Sequence, residues 1–378
     1  MNITIDARLL RKSMGGGISE YSRNMITHLI GNNSGDTYKI FWNGLKNFEI
    51  PKEWQNQNVS SANWHVPNKI LDASARWLNL PNIDKFIKTD VIYSPHFNIL
   101  SKKNAKRVIT FHDLSFVHHP YFFNRRQRIW HWLQNYKKQA HDADLIVTNS
   151  NFTAGDVVNI LGVKKEKVVP IYPGLDPIFK NLNTNQEKLE KFKKENGLEK
   201  PYILYLGTIE PRKNIPALIR AFNSLKEKTI WKDIKLVIAG KNGWLYKNVV
   251  DEIKNSPVKN DIKLMGYVDH KNRPLLYTGS EVFVYPSFFE GFGFPPLEAQ
   301  ACGTPIVVSD RTSLREVIRE NSGIFINPWK VEDLKNSLEK ILSDKNFKND
   351  LIKSGFENSK KFSWENAAQN LQNLLHAV

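Results

Sequence analysis

Short runs of consecutive apolar residues recur along this chain without a strict alternation of apolar and polar positions. Such runs are typical of parallel strands that are covered on both faces of their sheet. Stretches with apolar residues at helical spacing lie between them, which predicts an α/β protein. The predicted strands are Ile3–Ala7, Val91–Ser94, Arg107–Phe111, Leu145–Thr148, Val168–Ile171, Pro201–Leu206, Lys235–Gly240, Ile262–Gly266, Val282–Pro286, Pro305–Ser309 and Gly323–Ile326.

The strand pattern breaks in the middle of the chain. Pro173–Phe179 interrupts it, and the residues that follow, up to Lys200, are polar and rich in Lys, Asn and Glu. A length of 378 residues suits two domains, each large enough for its own core. We therefore predict an N-terminal domain over 1–178, a linker region over 179–200 and a C-terminal domain over 201–361.

A strand, a helix and a second strand follow one another closely in the C-terminal half. Val282–Pro286 and Pro305–Ser309 bracket a helical segment over Pro295–Gly303, which predicts a parallel βαβ unit. The turn Glu290–Phe294 then lies between the carboxyl end of a strand and the amino end of a helix. Open α/β sheets place ligands at this point, and unpaired backbone N–H groups favour an anion there.

The composition of this turn suggests which ligand it binds. Gly291 and Gly293 let the backbone approach a phosphate closely. Glu290 and Glu298 would repel a phosphate, so they are better suited to accept hydrogen bonds from hydroxyl groups. A nucleotide sugar is a ligand that carries both phosphate and hydroxyl groups. The alternative is that Glu298 is a solvated helix charge and that Glu290 only complements the helix dipole.

The segment Glu290-Gly-Phe-Gly-Phe-Pro-Pro-Leu-Glu298 resembles the Glu-x7-Glu signature of retaining glycosyltransferases of family 4, the group 1 type. The resemblance implies the GT-B architecture, with two facing Rossmann-like domains, parallel sheets and an interdomain cleft. It also implies that the donor binds mainly to the C-terminal domain and the acceptor to the N-terminal domain. In such enzymes the final helix, here about 362–378, crosses back to the first domain.

Two cations follow the first strand of the C-terminal half. Arg212 and Lys213 lie in the loop Gly207–Asn214, beside the start of a helix, where they could hold a diphosphate and stabilise its charge as it leaves. The family has an Arg-Lys pair in a comparable loop. We therefore expect both residues, with Glu290, to be catalytic.

The resemblance implies further contacts from the N-terminal half. A glycine-rich loop follows the first strand of these enzymes, and Gly16 and Gly17 occupy that position here. The family also carries a histidine after a strand comparable to Arg107–Phe111, where it contacts the donor sugar. This role falls to His112, which we expect to be catalytic and to reach the sugar from across the cleft.

The remaining donor-binding residues follow from the same resemblance. Glu298 is expected to hold the ribose diol, and the backbone near Val268 to meet the base. The other expected donor-binding residues are Gly207, Asn242, Gly291, Phe292, Gly293 and Phe294.

No metal or cofactor is expected, because fixed cations would replace a divalent ion. The triplet Asp142-Ala143-Asp144 matches a metal-binding pattern of another glycosyltransferase architecture, but it precedes the strand Leu145–Thr148. It therefore lies at the end of the sheet opposite the expected ligand. By family mechanism, the acceptor hydroxyl attacks the same face of the sugar and passes its proton to the leaving phosphate.

The charge balance calls for an anionic partner. The chain has 54 Lys and Arg residues against 38 Asp and Glu residues, a net charge of +16. Nucleic acid, anionic lipid and phosphorylated substrates would each fit this charge. A genome rich in A and T would also raise the share of Lys and Asn without any functional meaning.

One helix concentrates this basic character. Asn124 is a suitable N-cap, and Ile129, Leu133, Tyr136 and Ala140 form the predicted buried face. Trp130 and three arginines fall elsewhere on the helix. Such a surface suits an anionic membrane interface or a phosphorylated acceptor, although a solvated charged face explains it equally well.

Hydropathy and cysteine content favour a cytoplasmic protein. No apolar stretch reaches the ~18 residues of a membrane span, and Met1–Ile5 leads into a strand rather than a signal peptide. Cys302 is the one cysteine, which excludes an intrachain disulfide. The basic helix leaves open a peripheral position at the inner face of the cytoplasmic membrane.

The predicted function is transfer of a sugar to a saccharide or lipid-linked acceptor. Gly207–Asn214 and Met1–Ser19 resemble bacterial mannosyltransferases of surface polysaccharide (O-antigen lipopolysaccharide) assembly, so GDP-mannose is the preferred donor. One alternative is a UDP-sugar, and another is a GT-B nucleotide-sugar epimerase, which would convert the donor without an acceptor. A basic nucleic-acid-binding protein would need a clustered basic stripe, whereas this chain spreads its charge, so we expect no nucleic-acid partner.

Overall fold

A computed structural model describes residues 1–11, 16–32, 35–45, 49–180 and 186–378. These residues form two compact units. The N-terminal unit contains Met1–Gly174 together with Ser363–Val378, and the C-terminal unit contains Leu175–Phe362.

The N-terminal unit is built on a parallel sheet that has seven strands within the described residues, in the order β3-β2-β1-β4-β5-β6-β7. Ile5 of β1 pairs with Ile40 of β2 on one side and with Tyr93 of β4 on the other, so the strand order reverses between β1 and β4. The strands are Asn2–Asp6 (β1), Thr37–Phe41 (β2), Val59–Ala62 (β3), Val91–Ser94 (β4), Lys106–Phe111 (β5), Leu145–Thr148 (β6) and Val168–Pro170 (β7).

The C-terminal unit has a second parallel sheet, with six strands in its described part and the order β10-β9-β8-β11-β12-β13. β8 pairs with both β9 and β11, so this sheet reverses its order between β8 and β11. The strands are Tyr202–Leu206 (β8), Lys235–Ala239 (β9), Ile262–Gly266 (β10), Val282–Tyr285 (β11), Ile306–Ser309 (β12) and Ile324–Ile326 (β13).

Helices connect the strands in both units, as parallel pairing requires. The N-terminal unit contains the first six helices and the last one. In chain order, the helices of the described residues are Gly17–Gly31 (α1), Asn68–Trp77 (α2), Ser115–His118 (α3), Arg125–Leu133 (α4), Tyr136–Asp142 (α5), Asn151–Leu161 (α6), Gln186–Glu195 (α7), Ile215–Lys226 (α8), Lys247–Asn255 (α9), Arg273–Thr278 (α10), Phe294–Ala301 (α11), Leu314–Val317 (α12), Val331–Ser343 (α13), Lys345–Ser359 (α14) and Trp364–Ala377 (α15).

The final helix α15 packs against α1 in the N-terminal unit. Leu371 and Leu375 of α15 are fully buried, and polar contacts fix the end of the helix. The buried carboxylate of Asp36 accepts hydrogen bonds from Gln372 Nε2 at 3.1 Å and from His376 Nε2 at 2.8 Å. Helix α15 is therefore part of the core of the N-terminal unit, together with α1.

The structure corrects one part of the predicted buried face of the basic helix: Ala140 is fully buried and Tyr136 packs against the core as predicted, but Ile129 does not. The helical segment is interrupted at Asn135, which has a left-handed backbone (φ 48°), so α4 and α5 are separate helices. Ile129 points outward and is half exposed, whereas Trp130 packs against the core. The polar residue Gln134 is also buried on this face, and its Oε1 accepts a hydrogen bond from the Ile99 amide at 2.7 Å.

Candidate functional site

The candidate site of the C-terminal unit lies at the carboxyl ends of β8 and β11, where the strand order reverses. Loops that leave two adjacent strands in opposite directions open a crevice at this point of an α/β sheet. The loop after β8 carries Glu210, Arg212 and Lys213, and the loop after β11 carries Glu290. The topology thus brings together the cations and the carboxylate that the sequence singled out.

Lys213 and Glu290 form a buried ion pair. Lys213 Nζ lies 2.5 Å from Glu290 Oε1 and donates a second hydrogen bond to the Tyr285 hydroxyl at 2.6 Å. Only 4% of Lys213 and 5% of Glu290 is exposed. The ammonium group therefore has two hydrogen-bond partners, which fix the position of its charge.

Arg212 adds a second cation to this pair. Its Nη1 lies 3.4 Å from Glu290 Oε2, and its Nε donates to the carboxylate of Glu210. The group of four side chains has two positive and two negative charges. The sequence predicted a cationic pair that faces a phosphate, and the structure shows that carboxylates pair with both cations.

Electrostatics keep Glu290 ionised in this buried place. Burial by itself favours the neutral acid, but the positive charges of Lys213 and Arg212 outweigh it and hold the pKa of Glu290 below its ordinary value of 4.5. At neutral pH the side chain is a carboxylate that accepts hydrogen bonds and donates none.

The turn that follows Glu290 is fixed from behind by the segment after β12. Ser313 Oγ donates to the carbonyl oxygens of Glu290 at 2.9 Å and Phe292 at 3.1 Å, and the Glu290 amide donates to Thr312 Oγ1 at 3.0 Å. Gly293 has a φ of 104°, and a Cβ there would lie 2.6 Å from Leu314 Cδ2. A glycine is therefore required where α11 begins.

Glu298 is buried inside α11, with 4% of its surface exposed, so it is not a solvated helix charge. Its Oε2 accepts a hydrogen bond from the Tyr277 hydroxyl at 2.8 Å, and Arg273 Nη1 lies 3.9 Å from its Oε1. The carboxylate thus has a fixed orientation in the same β11–α11 unit as the turn.

The loops after β8 and β9 are joined closely. The Gly207 amide donates to the Ala239 carbonyl at 3.0 Å, and Ile209 bridges to Asn242. Gly240 has a φ of 140°, and a Cβ there would lie 1.8 Å from the Gly207 carbonyl oxygen. Gly207 and Asn242, both predicted to bind the donor, therefore lie in paired loops, and Val268 is buried after β10.

His112 lies at the carboxyl end of β5 in the N-terminal unit and is almost fully buried. Its Nε2 is 2.8 Å from the carbonyl oxygen of Pro95, which can only accept, so Nε2 carries the proton. Burial lowers the pKa of His112 to about 4. The imidazole is therefore neutral at physiological pH, with Nδ1 as an acceptor, and its contact with a donor sugar stays a prediction.

The predicted glycine-rich loop lies partly outside the described residues, which resume at Gly16. Helix α1 begins at Gly17, and a Cβ placed on Gly16 would meet no atom within 4 Å. Gly16 and Gly17 thus lie at a helix amino end after β1, as predicted, and their role as donor contacts stays a prediction.

The Asp142–Asp144 segment is engaged in structural contacts. Asp144 accepts hydrogen bonds from Lys102 Nζ at 3.3 Å, Lys106 Nζ at 3.2 Å and the Arg107 amide at 2.9 Å, while Asp142 pairs with Lys138. Among the described residues, no three His, Cys, Asp or Glu side chains are grouped so that they could hold a metal ion. The expected independence of metal stays a prediction.

Comparison with known proteins identifies the family. Residues 15–179 match the model of Glycosyltransferase Family 4, and residues 186–358 match that of Glycosyl transferases group 1. The chain belongs to this family of glycosyltransferases, so the predicted family is confirmed.

Individual relatives agree with this assignment. The chain is 28% identical over 360 residues to the O-antigen chain mannosyltransferase B of Escherichia coli, and the match covers 93% of each chain. Sucrose-phosphate synthase from Thermosynechococcus elongatus has a similar structure, with a TM-score of 0.77 at 20% identity over 100% of this chain and 98% of that one. HepE of Anabaena, solved with UDP and glucose, gives a TM-score of 0.74 at 17% identity over 100% and 99%. These likenesses confirm the GT-B fold class.

Several residues of the candidate site were not predicted from the sequence. Tyr285 lies in a predicted strand and Tyr277 in no predicted motif, yet their hydroxyl groups form hydrogen bonds with Lys213 and Glu298. Ser313 belongs to no motif, although it fixes the turn after Glu290. A sequence signal existed for Tyr285, since a tyrosine at the end of a predicted strand places its hydroxyl near the ligand edge.

Proposed function

We propose that this glycosyltransferase transfers mannose from GDP-mannose to a saccharide or lipid-linked acceptor. The names of its relatives support the sugar, since the relative matched over 93% of the chain is an O-antigen mannosyltransferase. The observation that carries the proposal is the buried group of Arg212, Lys213 and Glu290 at the point of strand reversal. It supplies fixed positive charge beside a glycine turn, which is what a leaving diphosphate needs.

The diphosphate would bind the two cations that pair with Glu290. Its oxygens offer Lys213 and Arg212 stronger partners than one carboxylate, because phosphate oxygens accept several charge-assisted hydrogen bonds. The amide groups at Gly291–Phe294 add backbone donors at the start of α11. Glu290, released from the pair, can then accept hydrogen bonds from the sugar hydroxyls.

We further propose that the reaction retains the anomeric configuration and needs no metal. Lys213 and Arg212 would neutralise the negative charge that grows on the phosphate as its bond to the sugar breaks. The acceptor hydroxyl would attack from the same face of the sugar and pass its proton to the leaving phosphate. The anomeric configuration of the product by NMR, and turnover in excess EDTA, test the two statements separately.

Glu298 is proposed to hold the ribose diol, with Tyr277 as the residue that orients its carboxylate. Tyr277→Phe removes the 2.8 Å hydrogen bond to Glu298 Oε2, and a hydrogen bond to a charged group contributes about 1.5–3 kcal/mol. Because the carboxylate itself remains, we expect the lower end of this range, a roughly tenfold rise in the donor KM. Steady-state kinetics measure it, and an unchanged KM with a lowered Tm would assign Tyr277 to the core alone.

A UDP-sugar is the second candidate donor. The fold relative HepE was solved with UDP and glucose, and the loop at Val268 would meet the base through its backbone, which offers no side chain that selects guanine. A nucleotide-sugar epimerase is a further alternative. It would convert the donor without an acceptor. Incubation with GDP-mannose or UDP-glucose alone would then give an isomeric nucleotide sugar of unchanged mass.

The test of the proposed donor is a thermal-shift and slow-hydrolysis screen in metal-free buffer. The wild type and Arg212→Ala are compared with GDP-mannose, UDP-glucose, UDP-N-acetylglucosamine and the free nucleotides. We expect GDP and GDP-mannose to raise the Tm of the wild type and to have little effect on the variant. Stabilisation by uridine nucleotides alone would replace the proposed donor by a UDP-sugar.

We also propose that the enzyme works at the inner face of a membrane on a lipid-linked acceptor. The contact we propose is peripheral. No helix of the described residues is long and apolar enough to cross a membrane. The net charge of +16 supports attraction to anionic lipid.

A further inference from the structure

Several large apolar side chains are exposed where two helices of the N-terminal unit meet. Trp77 and the following Leu78, at the end of α2, are 64% and 68% exposed, and Trp132 of α4 is 57% exposed. Leu80 and Ile129 are also exposed. Folded proteins seldom leave two tryptophans and three aliphatic residues uncovered within neighbouring elements unless they contact a partner.

Cations accompany these apolar residues. The Arg76 guanidinium lies 5.1 Å from the ring centroid of Trp132, which joins α2 to α4. Arg125, Arg126 and Arg128 are exposed on α4, and α4 contains no acidic residue. We call the exposed side chains of Arg76, Trp77, Leu78, Leu80, Arg125, Arg126, Arg128, Ile129 and Trp132 the basic–aromatic face.

A polar cavity opens beside this face. It has a volume of about 240 Å³, and Arg76 and Asn79 at the end of α2 share its wall with Lys102, Arg107 and Lys138. Asp142 is the one acidic residue of the lining and pairs with Lys138. The wall therefore carries an excess of positive charge.

Arg107, in the wall of this cavity, is a buried cation, and the hydrogen-bond partners of its guanidinium among the described residues are all neutral. Its side chain is buried, and its Nη groups bond to the Asn98 and Leu100 carbonyls and to neutral side chains. No described carboxylate pairs with it, and its Nε has no hydrogen-bond partner among the described residues. Burial lowers the pKa of Arg107 to about 10, so an anion in the cavity would stabilise its charged form.

The cavity lies away from the predicted ligand edge of its sheet. Arg107 stands near the start of β5, and Asp142 ends the helix that leads into β6. His112, in contrast, follows the carboxyl end of β5. Because parallel strands place these two ends on opposite edges, the cavity is distinct from the predicted sugar contact.

We propose that the basic–aromatic face docks on an anionic phospholipid bilayer and that the cavity beside it receives a lipid phosphate. Arginine, tryptophan and leucine together suit the boundary between headgroups and acyl chains. The arginines can pair with lipid phosphates there, and the tryptophan and leucine side chains can enter the apolar layer. The proposal rests on the membrane position in the proposed function and assigns the residues that produce it.

The test is co-sedimentation of the full chain with vesicles of phosphatidylcholine, with or without phosphatidylglycerol. We expect binding with phosphatidylglycerol and weak binding without it. Arg76→Gln/Lys138→Gln should weaken binding to the anionic vesicles roughly 25-fold, since each cation near such a surface contributes about fivefold. Trp77→Ser/Trp132→Ser should weaken it by roughly tenfold or more.

Matched variants in the C-terminal unit control for loss of charge or apolar area alone. Ile230→Ser removes a side chain that is 74% exposed, and Lys191→Gln removes an exposed cation of α7. Both should bind vesicles like the wild type. Equal loss in the controls, or vesicle binding that does not depend on phosphatidylglycerol, would overturn the proposal.

A second measurement separates this proposal from the proposed function. The face variants should keep the nucleotide-induced Tm shift and the slow hydrolysis of the donor, because neither involves the basic–aromatic face. Full vesicle binding by the face variants, with donor hydrolysis intact, would reject the docking face and leave the enzymatic proposal standing. Vesicle binding without any nucleotide effect would do the reverse.

Discussion

Replacing Lys213 by methionine is expected to lower kcat for sugar transfer by about 10²–10³, the usual loss when one fixed stabilising group of a transition state is removed. Methionine keeps most of the apolar stem but removes the ammonium group, which lies 2.5 Å from Glu290 Oε1 and 2.6 Å from the Tyr285 hydroxyl. Under the proposed function, the charge that grows on the leaving phosphate then loses its most deeply buried partner. Initial rates at saturating donor measure the effect.

The variant also leaves Glu290 with Arg212 alone, so its stability must be followed beside its rate. Breaking a buried ion pair on one side costs about 3–5 kcal/mol. Lys213→Met/Glu290→Gln removes both charges and should recover much of the lost Tm. Glu290→Gln alone measures the rate loss that belongs to the carboxylate. If Lys213 acts on the phosphate, kcat of the double variant lies well below that of Glu290→Gln, whereas for a purely structural lysine the two variants have the same kcat.

Lys226→Met is the matched control in the same unit. The Lys226 side chain is also buried and lies 2.8 Å from Asp261 Oδ2, but it belongs to the far end of α8. We expect it to lower the Tm without a change in kcat larger than about threefold, which corresponds to less than 1 kcal/mol. A rate loss as large as that of Lys213→Met would show that any buried charge defect impairs the enzyme.

The strands and the turn at Glu290 could be predicted because both are local properties of the sequence. Val282–Tyr285 and Ile306–Ser309 are continuous apolar runs, and both form buried strands as predicted. The point of strand reversal could not be derived from such runs, since strand order depends on contacts between distant segments. The sheet topology supplies it and explains why Arg212 and Glu290 meet.

The misplaced face of the basic helix has a similar cause. Hydrophobic spacing favoured Ile129 and Leu133 as core residues, but buried polar side chains carry no apolar signal. Gln134 is buried because its side chain accepts a hydrogen bond from the Ile99 amide and donates one to Asp72. With Gln134 facing inward, Ile129 faces outward. The sequence analysis therefore predicted a basic surface on this helix but placed Ile129, one of its exposed apolar residues, in the core.

Glu298→Ala is expected to weaken binding of the nucleoside diphosphate by about 10- to 100-fold, since hydrogen bonds to a charged acceptor contribute about 1.5–3 kcal/mol. The carboxylate is held by Tyr277 within the β11–α11 unit, and under the proposed function it accepts both ribose hydroxyl groups. Isothermal titration with GDP and UDP measures the loss. A 2′-deoxyribonucleotide should lose less affinity in the variant than the ribonucleotide does, because it offers one hydroxyl fewer.

Gln300→Ala provides the control on the same helix. Gln300 is equally buried, but its side chain bonds to Ser322 and Asn358, which lie behind α11. Its loss should lower the Tm and leave nucleotide affinity unchanged within about twofold. If Glu298→Ala behaved in the same way, Glu298 would be a structural acid for Tyr277, and the ribose would have to be held by another residue of the C-terminal unit.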